Sequence, residues 1–90
     1  MAASVTYSDG TVREHFSGEN KIVYWESPAT MDSADYVTVP TVTGKNVRII
    51  SAWDHTTGDA VTATVSTATI TVDAGGSTTD HTYGILFQYV

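Results

Sequence analysis

The second half of the chain, KNVRIISAWDHTTGDAVTATVSTATITVDAGGSTTDHTYGILFQYV (residues 45–90), decides the fold. It divides into four β-prone runs separated by three turns, and the last run is rich in aromatic residues. In that run Tyr83, Ile85, Phe87 and Tyr89 recur at every second position, which is typical of a strand with one buried face. We therefore expect these four side chains to lie in the core.

The two runs before the aromatic strand alternate with opposite parity. In the first run the apolar residues are at odd-numbered positions (Val61, Ala63 and Val65). In the second run they are at even-numbered positions (Ile70 and Val72). A change of parity requires a turn or a bulge between two strands that bury the same kind of face. The pattern predicts a tight turn near residues 66–68, and a single bulged strand of fourteen residues is the alternative.

Two runs in the middle of the chain contain a breaker or a large aromatic residue. Residues 35–42 alternate, but Pro40 predicts either an edge strand or a split strand, because proline cannot donate to the ladder. Residues 47–53 place Trp53 in phase with Val47 and Ile49. This spacing predicts that Trp53 lies in the core.

The N-terminal 17 residues have the pattern of a hairpin. The pair Asp9-Gly10 separates Val5–Tyr7 from Thr11–Phe16, and Asp-Gly favours a tight turn with positive φ. The second run is polar, which is typical of an edge strand. We predict that residues 1–17 form an N-terminal arm or hairpin.

Residues 21–26 (KIVYWE) follow a predicted turn at residues 17–20 and are apolar without alternation. A run of this kind suggests a strand that is covered on both faces. The second cover is either the other sheet or a neighbouring subunit, and closed symmetry would supply the latter. The run therefore predicts a homo-oligomer, for which we expect a trimer.

Eight short β-prone runs with frequent turns predict the fold class. We expect one all-β domain over residues 1–90, an antiparallel β-sandwich similar to a jelly roll with about eight short strands. A chain of 90 residues without cysteine has neither a large core nor disulfides to stabilise it. Assembly with other chains would add the stability that such a small core lacks.

The charge excludes two classes of partner. The formal net charge is −6, and the four basic residues are scattered among ten acids, so we expect no nucleic acid and no anionic membrane surface as a partner. No apolar run approaches the roughly 18 residues of a membrane span, and the N-terminus lacks a signal-peptide pattern. We expect a soluble protein made in the cytoplasm.

No pattern of reactive residues predicts catalysis. His15, His55 and His81 lack the spacing that would enforce a metal site, and no G-x-S-x-G motif is present. We expect no enzyme activity, no catalytic residue, no metal and no cofactor. A carbohydrate-binding β-sandwich stays open as an alternative function, with Tyr7, Tyr24, Trp25, Tyr36 and Trp53 as candidate contacts, although the patterns favour the core for Trp53 and the core or an interface for Trp25.

The segments TGKNVRIISAWDHTTGDAVTATVSTATITVDAGG (43–76) and DHTYGILFQYV (80–90) resemble small virion structural proteins of tailed bacteriophages. The segment GTVREHFSGENKIVYWES (10–27) is similar in style to the openings of such proteins. The resemblance covers about half of the chain and implies a capsid decoration (cement) protein of the virion, made in the host cytoplasm. Its implied partner is the major capsid protein or another virion protein. A tail-associated adhesin component stays open beside the carbohydrate-binding module.

The residues expected to contact the particle lie in the first third of the chain. Tyr, Trp and Arg anchor protein interfaces more often than other residues, and aliphatic and aromatic neighbours extend such anchors. The predicted interface comprises Tyr7, Arg13, Phe16, Ile22, Tyr24 and Trp25.

Overall fold

In the computed structural model, which describes residues 3–17, 20–76 and 78–90, eight strands form two four-stranded sheets. The strands are β1 (Ser4–Val5), β2 (Thr11–Ser17), β3 (Asn20–Glu26), β4 (Tyr36–Thr38), β5 (Val47–Asp54), β6 (Thr62–Ser66), β7 (Thr69–Asp73) and β8 (Tyr83–Tyr89). The first sheet has the order β1-β4-β7-β6, and the second has the order β2-β3-β8-β5. All pairs are antiparallel except β1 with β4. The predicted fold class, a small all-β sandwich, is confirmed.

The core lies between the two sheets and is formed by alternate residues of their strands. The predicted inward face of β8 is confirmed, since Tyr83, Ile85, Phe87 and Tyr89 are all buried, with at most 3% exposure. The largest fully buried side chains are Trp25, Tyr83, Phe87, Met31, Ile70, Ile85, Val23, Val37 and Val72. Five of these nine belong to the central strands of the second sheet, β3 and β8, and three belong to the central strands of the first, β4 and β7.

The β6–β7 hairpin also forms as predicted. Its strands end at Ser66 and begin at Thr69, and Thr67 adopts the left-handed conformation with φ 58°. Cross-strand pairing of Val65 with Ile70 puts both side chains on the inner face. Val65 is only partly buried, because β6 is the edge strand of its sheet.

The predicted N-terminal hairpin is wrong. Strand β1 pairs in parallel with β4 of the first sheet, whereas β2 pairs with β3 of the second. A 3₁₀ turn at Tyr7–Asp9 connects them, and Gly10 has φ −91°, outside the left-handed region. Gly10 is required for a different reason: a Cβ there would lie 2.5 Å from Trp25 Nε1 and 2.5 Å from the Glu26 carbonyl oxygen. The chain thus crosses from one sheet to the other directly over Trp25.

Strand β2 is the edge strand of the second sheet, as its polar sequence predicts. It pairs with β3 from Thr11–Glu26 to Ser17–Asn20. The centre of the turn predicted at residues 17–20 lies outside the described residues. Because β1, β2 and the Tyr7 ring all pack on the sandwich, residues 4–17 are part of the sheets themselves.

Pro40 shortens its strand and does not create an edge. Strand β4 ends at Thr38 and lies between β1 and β7. The next amide, Val39 N–H, still donates to the Ala68 carbonyl oxygen (2.9 Å), after which the chain leaves the sheet. Neither predicted outcome for residues 35–42 occurs, since β4 is not an edge strand and, within the described residues 20–76, no second strand follows Pro40 before β5. Among the described residues, no helix has the length and apolar character needed to cross a membrane.

Candidate functional site

A β-bulge in β5 turns Trp53 away from the core. The pairing of β5 with β8 shifts register between Ile49 and Ser51. Val47 and Ile49 therefore pack on the core, but beyond the bulge Ala52 takes the inward position and Trp53 points outward. The prediction that Trp53 lies in the core is wrong, because one extra residue reverses the parity of the rest of the strand.

On the outer face of the second sheet, Trp53 stacks on Tyr24. The two ring centroids are 5.4 Å apart and the ring planes differ by 7°. Between these strands lies Gly84 of β8, the cross-strand partner of Trp53. A Cβ at Gly84 would lie 2.7 Å from Trp53 Cε2, so only glycine allows the indole to pack over the central strand. Both rings stay partly exposed.

Two charged side chains flank the Tyr24–Trp53 pair. The Tyr24 hydroxyl donates a hydrogen bond to Glu26 Oε2 (3.0 Å), and Arg13 is the cross-strand neighbour of Tyr24. Burial raises the pKa of the Tyr24 hydroxyl above its ordinary value, the Glu26 carboxylate raises it further, and Arg13 opposes the shift. Tyr24 is therefore a neutral donor at physiological pH. We call Tyr24, Trp53, Glu26 and Arg13 the aromatic site.

A buried carboxylate fixes the end of β5 next to the aromatic site. Asp54, 3% exposed, accepts hydrogen bonds from His81 Nδ1 (2.6 Å) and from the amides of Thr56 (2.9 Å) and Thr57 (3.3 Å). Burial by itself would raise the pKa of Asp54, but the hydrogen bonds from His81 and the two amides outweigh it and hold the pKa below its ordinary value. The carboxylate thus ties the loop after β5 to the segment before β8.

A second surface lies at the other end of the sandwich. Phe16 and Lys21 are cross-strand partners, and Lys21 is in turn paired with Tyr89. Phe16 is 68% exposed, Val90 is 42% exposed and Val42 is 38% exposed, which makes them three of the four most exposed large hydrophobic side chains among the described residues. We call this region, with Lys21, Lys45, Phe16, Val42 and Val90, the Phe16 end.

Hydrogen bonds hold the parts of the Phe16 end together. Asn46 and Val90 exchange two backbone hydrogen bonds of 2.8 Å each, and Lys45 N–H donates to the Val42 carbonyl oxygen (3.0 Å). The Lys21 ammonium lies 5.8 Å from the centre of the Phe16 ring and forms an ion pair with Glu14. Apolar and basic side chains are thus held at one end of a protein whose net charge is −6.

Most of the acidic side chains gather at the opposite end. The acidic side chains lie at strand ends, in the turn after β1 and in the loops next to Glu26 and Trp53. Of the nine acidic residues that the structure describes, only Glu14 lies elsewhere, and the other eight are Asp9, Glu26, Asp32, Asp35, Asp54, Asp59, Asp73 and Asp80. Among the described residues, negative charge is therefore concentrated at the end opposite the Phe16 end.

The structure divides the six predicted contact residues among three environments. Phe16 is at the Phe16 end, while Arg13, Ile22 and Tyr24 lie on the outer face of the second sheet. Tyr7 packs on the core, with its ring stacked on Trp25 at 6.0 Å; burial, followed by the charges of Tyr89 and Glu14, raises its pKa to about 12.

Trp25 is a correction to the predicted interface. It is 0% exposed, and its Nε1 donates to the Tyr7 carbonyl oxygen (2.9 Å). Trp25 lies on the inner face of β3, where the first sheet covers it, so it has no surface to offer a partner.

Sequence reasoning missed Trp53 and Gly84 as partners of Tyr24. The adjacent apolar pair Ile49-Ile50, which interrupts the alternation of β5, was the one local signal of a bulge. The role of Gly84 had no local signal, because it depends on which residue lies opposite it in β5.

Comparison with protein-family models, with curated proteins and with solved structures found no match to this chain. Within residues 3–17, 20–76 and 78–90, neither a pocket nor a group of three or more potential metal ligands is present. The candidate sites are therefore surfaces: the aromatic site and the Phe16 end.

Proposed function

We propose that the protein is a non-enzymatic structural component of a virion, a decoration protein that attaches end-on to the assembled head of a tailed bacteriophage. The resemblance of residues 43–76 and 80–90 to small phage virion proteins supports this function. The observation that carries the mode of attachment is the collection of exposed apolar and basic side chains at the Phe16 end.

Burial of the Phe16 end is the source of affinity in this proposal. Apolar surface contributes about 25 cal/mol per Å² when it is removed from water. Phe16 is the most exposed large hydrophobic side chain among the described residues. Its contact with the shell would bury this ring together with Val42 and Val90.

Charge gives the attachment its direction. Lys45 and the Lys21–Glu14 ion pair lie at the Phe16 end, and eight of the described acids lie at the other, so the two ends differ mainly in negative charge. A partner surface with acidic character, provided by the major capsid protein or another virion protein, attracts the first end and repels the second. The acidic end then faces away from the particle.

The trimer remains part of the proposal. On the outer face of the second sheet, Ile22 lies on a central strand, next to Lys21 of the Phe16 end, and stays partly exposed. Contact between copies at this part of the face, away from Trp53, would bury Ile22 and add stability to a domain of 90 residues. Sedimentation equilibrium at micromolar concentration is the measurement: three chain masses are expected, and a stable monomer would contradict the trimer but not the attachment.

Attachment is tested by co-sedimentation with phage heads that lack the protein. Phe16→Asp and Val42→Asp each place a carboxylate on an exposed position, so the fold is expected to persist. Each should weaken binding by about tenfold or more, because a charge is desolvated at the centre of the contact. Ile50→Asp is the matched control, since Ile50 is 46% exposed but lies in the middle of β5.

Two results would contradict the proposal. Wild-type protein that stays in the supernatant with heads of every preparation would reject virion attachment. Equal losses for Phe16→Asp and Ile50→Asp would reject the Phe16 end as the docking surface. Thermal melting of each variant checks that the sandwich is intact.

A further inference from the structure

We infer that the aromatic site binds a hexopyranose unit of a polysaccharide, which stacks on the Tyr24–Trp53 pair and exchanges hydrogen bonds with Glu26 and Arg13. This site goes beyond virion attachment and does not depend on it. The inference rests on three features of the site: the outward position of Trp53, the parallel rings over Gly84, and the charged groups at their border.

Because Trp53 points outward, the fold does not gain the stabilisation that burial of its side chain would give. A buried tryptophan removes a large apolar area from water, and without the bulge the alternation that places Val47 and Ile49 on the core would have placed Trp53 there as well. The bulge between Ile49 and Ser51 turns the ring to the surface instead, where it stays partly exposed. Bulges are over-represented next to binding sites because they redirect a side chain in this way.

The arrangement of the rings suits a flat ligand with an apolar face. Tyr24 and Trp53 stack on each other, with centroids 5.4 Å apart and planes within 7°, so each ring covers part of the other and a ligand would pack on the ring surface that stays exposed. Gly84 gives the Trp53 indole room on the central strand. The position of the rings is therefore set before any ligand binds, and preorganisation lowers the entropic cost of binding. A pyranose ring has one face of C–H groups, which packs on an aromatic surface, and a rim of hydroxyl groups.

The charged groups at the border match the rim of such a ligand. Glu26 uses Oε2 to accept from the Tyr24 hydroxyl, and because an ionised carboxylate offers about four acceptor positions, others remain for sugar hydroxyls. Arg13, next to Tyr24 across the β2–β3 ladder, is exposed and supplies N–H donors. Paired acceptors and donors beside an aromatic surface favour a neutral polyhydroxylated ligand over an anion or a purely apolar one.

The aromatic site and the Phe16 end do not overlap. Phe16 and Thr11 are at opposite ends of β2, and Thr11 is the cross-strand partner of Glu26. At a rise of about 3.4 Å per residue, Phe16 is roughly 17 Å from Thr11 and roughly 10 Å from Arg13, the member of the aromatic site nearest to it along β2. A protein attached through the Phe16 end would present the aromatic site on the part directed away from the particle.

The test is affinity electrophoresis of the full chain in native gels that contain laminarin, hydroxyethylcellulose or galactomannan, together with fluorescence titration by the corresponding oligosaccharides. The variants are Trp53→Ala, Tyr24→Ala and Glu26→Gln. Tyr36→Ala is the matched control, because Tyr36 is a partly exposed tyrosine on the outer face of the first sheet. No phage particle enters this experiment, so its outcome is independent of virion attachment.

We expect retardation of the wild-type protein by at least one of the polymers. Trp53→Ala and Tyr24→Ala should lower the association constant by about tenfold or more, Glu26→Gln by severalfold, and Tyr36→Ala should leave it unchanged. In Trp53→Ala the remaining tryptophan, Trp25, is fully buried, and its unchanged emission would show that the core is intact. The inference is overturned by wild-type protein that none of the polymers retards, by a Trp53→Ala variant that binds equally well, or by an equal loss in Tyr36→Ala.

Discussion

The two outer faces of the sandwich are built from strands of the same alternating type, yet they carry different chemistry. The first sheet exposes hydroxyl groups, and the second exposes the rings of Tyr24 and Trp53 together with aliphatic side chains. The register aligns the hydroxyl-bearing residues of three strands of the first sheet side by side: Thr62, Thr64, Ser66, Thr69, Thr71, Tyr36 and Thr38. We call these the threonine face and the aromatic face.

The two faces differ in how much exposed apolar surface a partner could bury. On the threonine face, Thr38 Oγ1 and Thr69 Oγ1 are 3.2 Å apart and exposed, and such hydroxyls are well satisfied by one another and by water. On the aromatic face, Tyr24 and Trp53 cover each other but stay partly exposed. Burial of apolar surface therefore stabilises a complex formed on the second face and contributes little on the first.

The largest expected effect concerns the inner and outer positions of the first sheet. Ile70→Asp should abolish folding, because Ile70 is 0% exposed and an unpaired buried carboxylate costs several kcal/mol, comparable with a total stability of about 5–15 kcal/mol. Thr64→Asp on the threonine face should cost less than about 1 kcal/mol. Val65→Asp should fall between them, since Val65 is partly buried at the edge. Thermal melting followed by circular dichroism is the measurement, and similar losses for Ile70→Asp and Thr64→Asp would reject the assignment of faces.

An intermediate effect is expected at the centre of the aromatic face. Gly84→Ala places a methyl group on a central strand, 2.7 Å from Trp53 Cε2. The indole must therefore move away from the strand. Overpacking of this kind should lower the free energy of unfolding by about 2 kcal/mol and shift tryptophan emission to longer wavelength.

Gly76→Ala is the control for this change. Gly76 has open space around the position of a Cβ, so its replacement should alter stability by less than about 0.5 kcal/mol. Chemical denaturation compares the two variants. Equal stability of Gly84→Ala and Gly76→Ala would show that Trp53 does not rest on Gly84 in solution.

The smallest of the three effects depends on pH and concerns the support of the aromatic face. Asp54→Asn should lower the free energy of unfolding by about 1.5 kcal/mol at neutral pH, because charge-assisted hydrogen bonds to His81 and two amides are weakened. The pKa of Asp54 is lower in the folded protein than in the unfolded chain, where it is about 3.9. The stabilisation by Asp54 is therefore complete above pH of about 4 and is lost as the pH falls through the folded-state pKa.

The measurement is the unfolding free energy of wild-type protein and Asp54→Asn between neutral pH and acid. The difference between the two should shrink below pH of about 4. A difference that stays constant into strong acid would contradict the ionised Asp54–His81 contact. Hydrogen exchange should show the earliest acid opening at the amides of Thr56 and Thr57, while the threonine face stays protected.

The aromatic site could be predicted only in part from the sequence. Tyr24 and Arg13 were expected at an interface, and their positions on the outer face agree with β-alternation. Trp53 was expected in the core, because parity counted along the chain ignores an inserted residue. For the Phe16 end, the sequence predicted only Phe16 as a contact residue. Val42 and Val90 lie at this end because of hydrogen bonds between segments that include pairs distant in sequence, such as Asn46 with Val90.

The sequence by itself determined the all-β class, the inward face of β8 and the turn between β6 and β7. These features depend on side-chain alternation and on a short loop, both of which are local. Only the tertiary structure decided that β1 pairs with β4, and that Gly10 and Gly84 leave space for Trp25 and Trp53, where a Cβ would collide with the indole. Strand partners and close approaches are fixed by the packing of the two sheets against each other. The side-chain pattern of one strand does not contain that information, because it depends on which residues of another strand lie opposite.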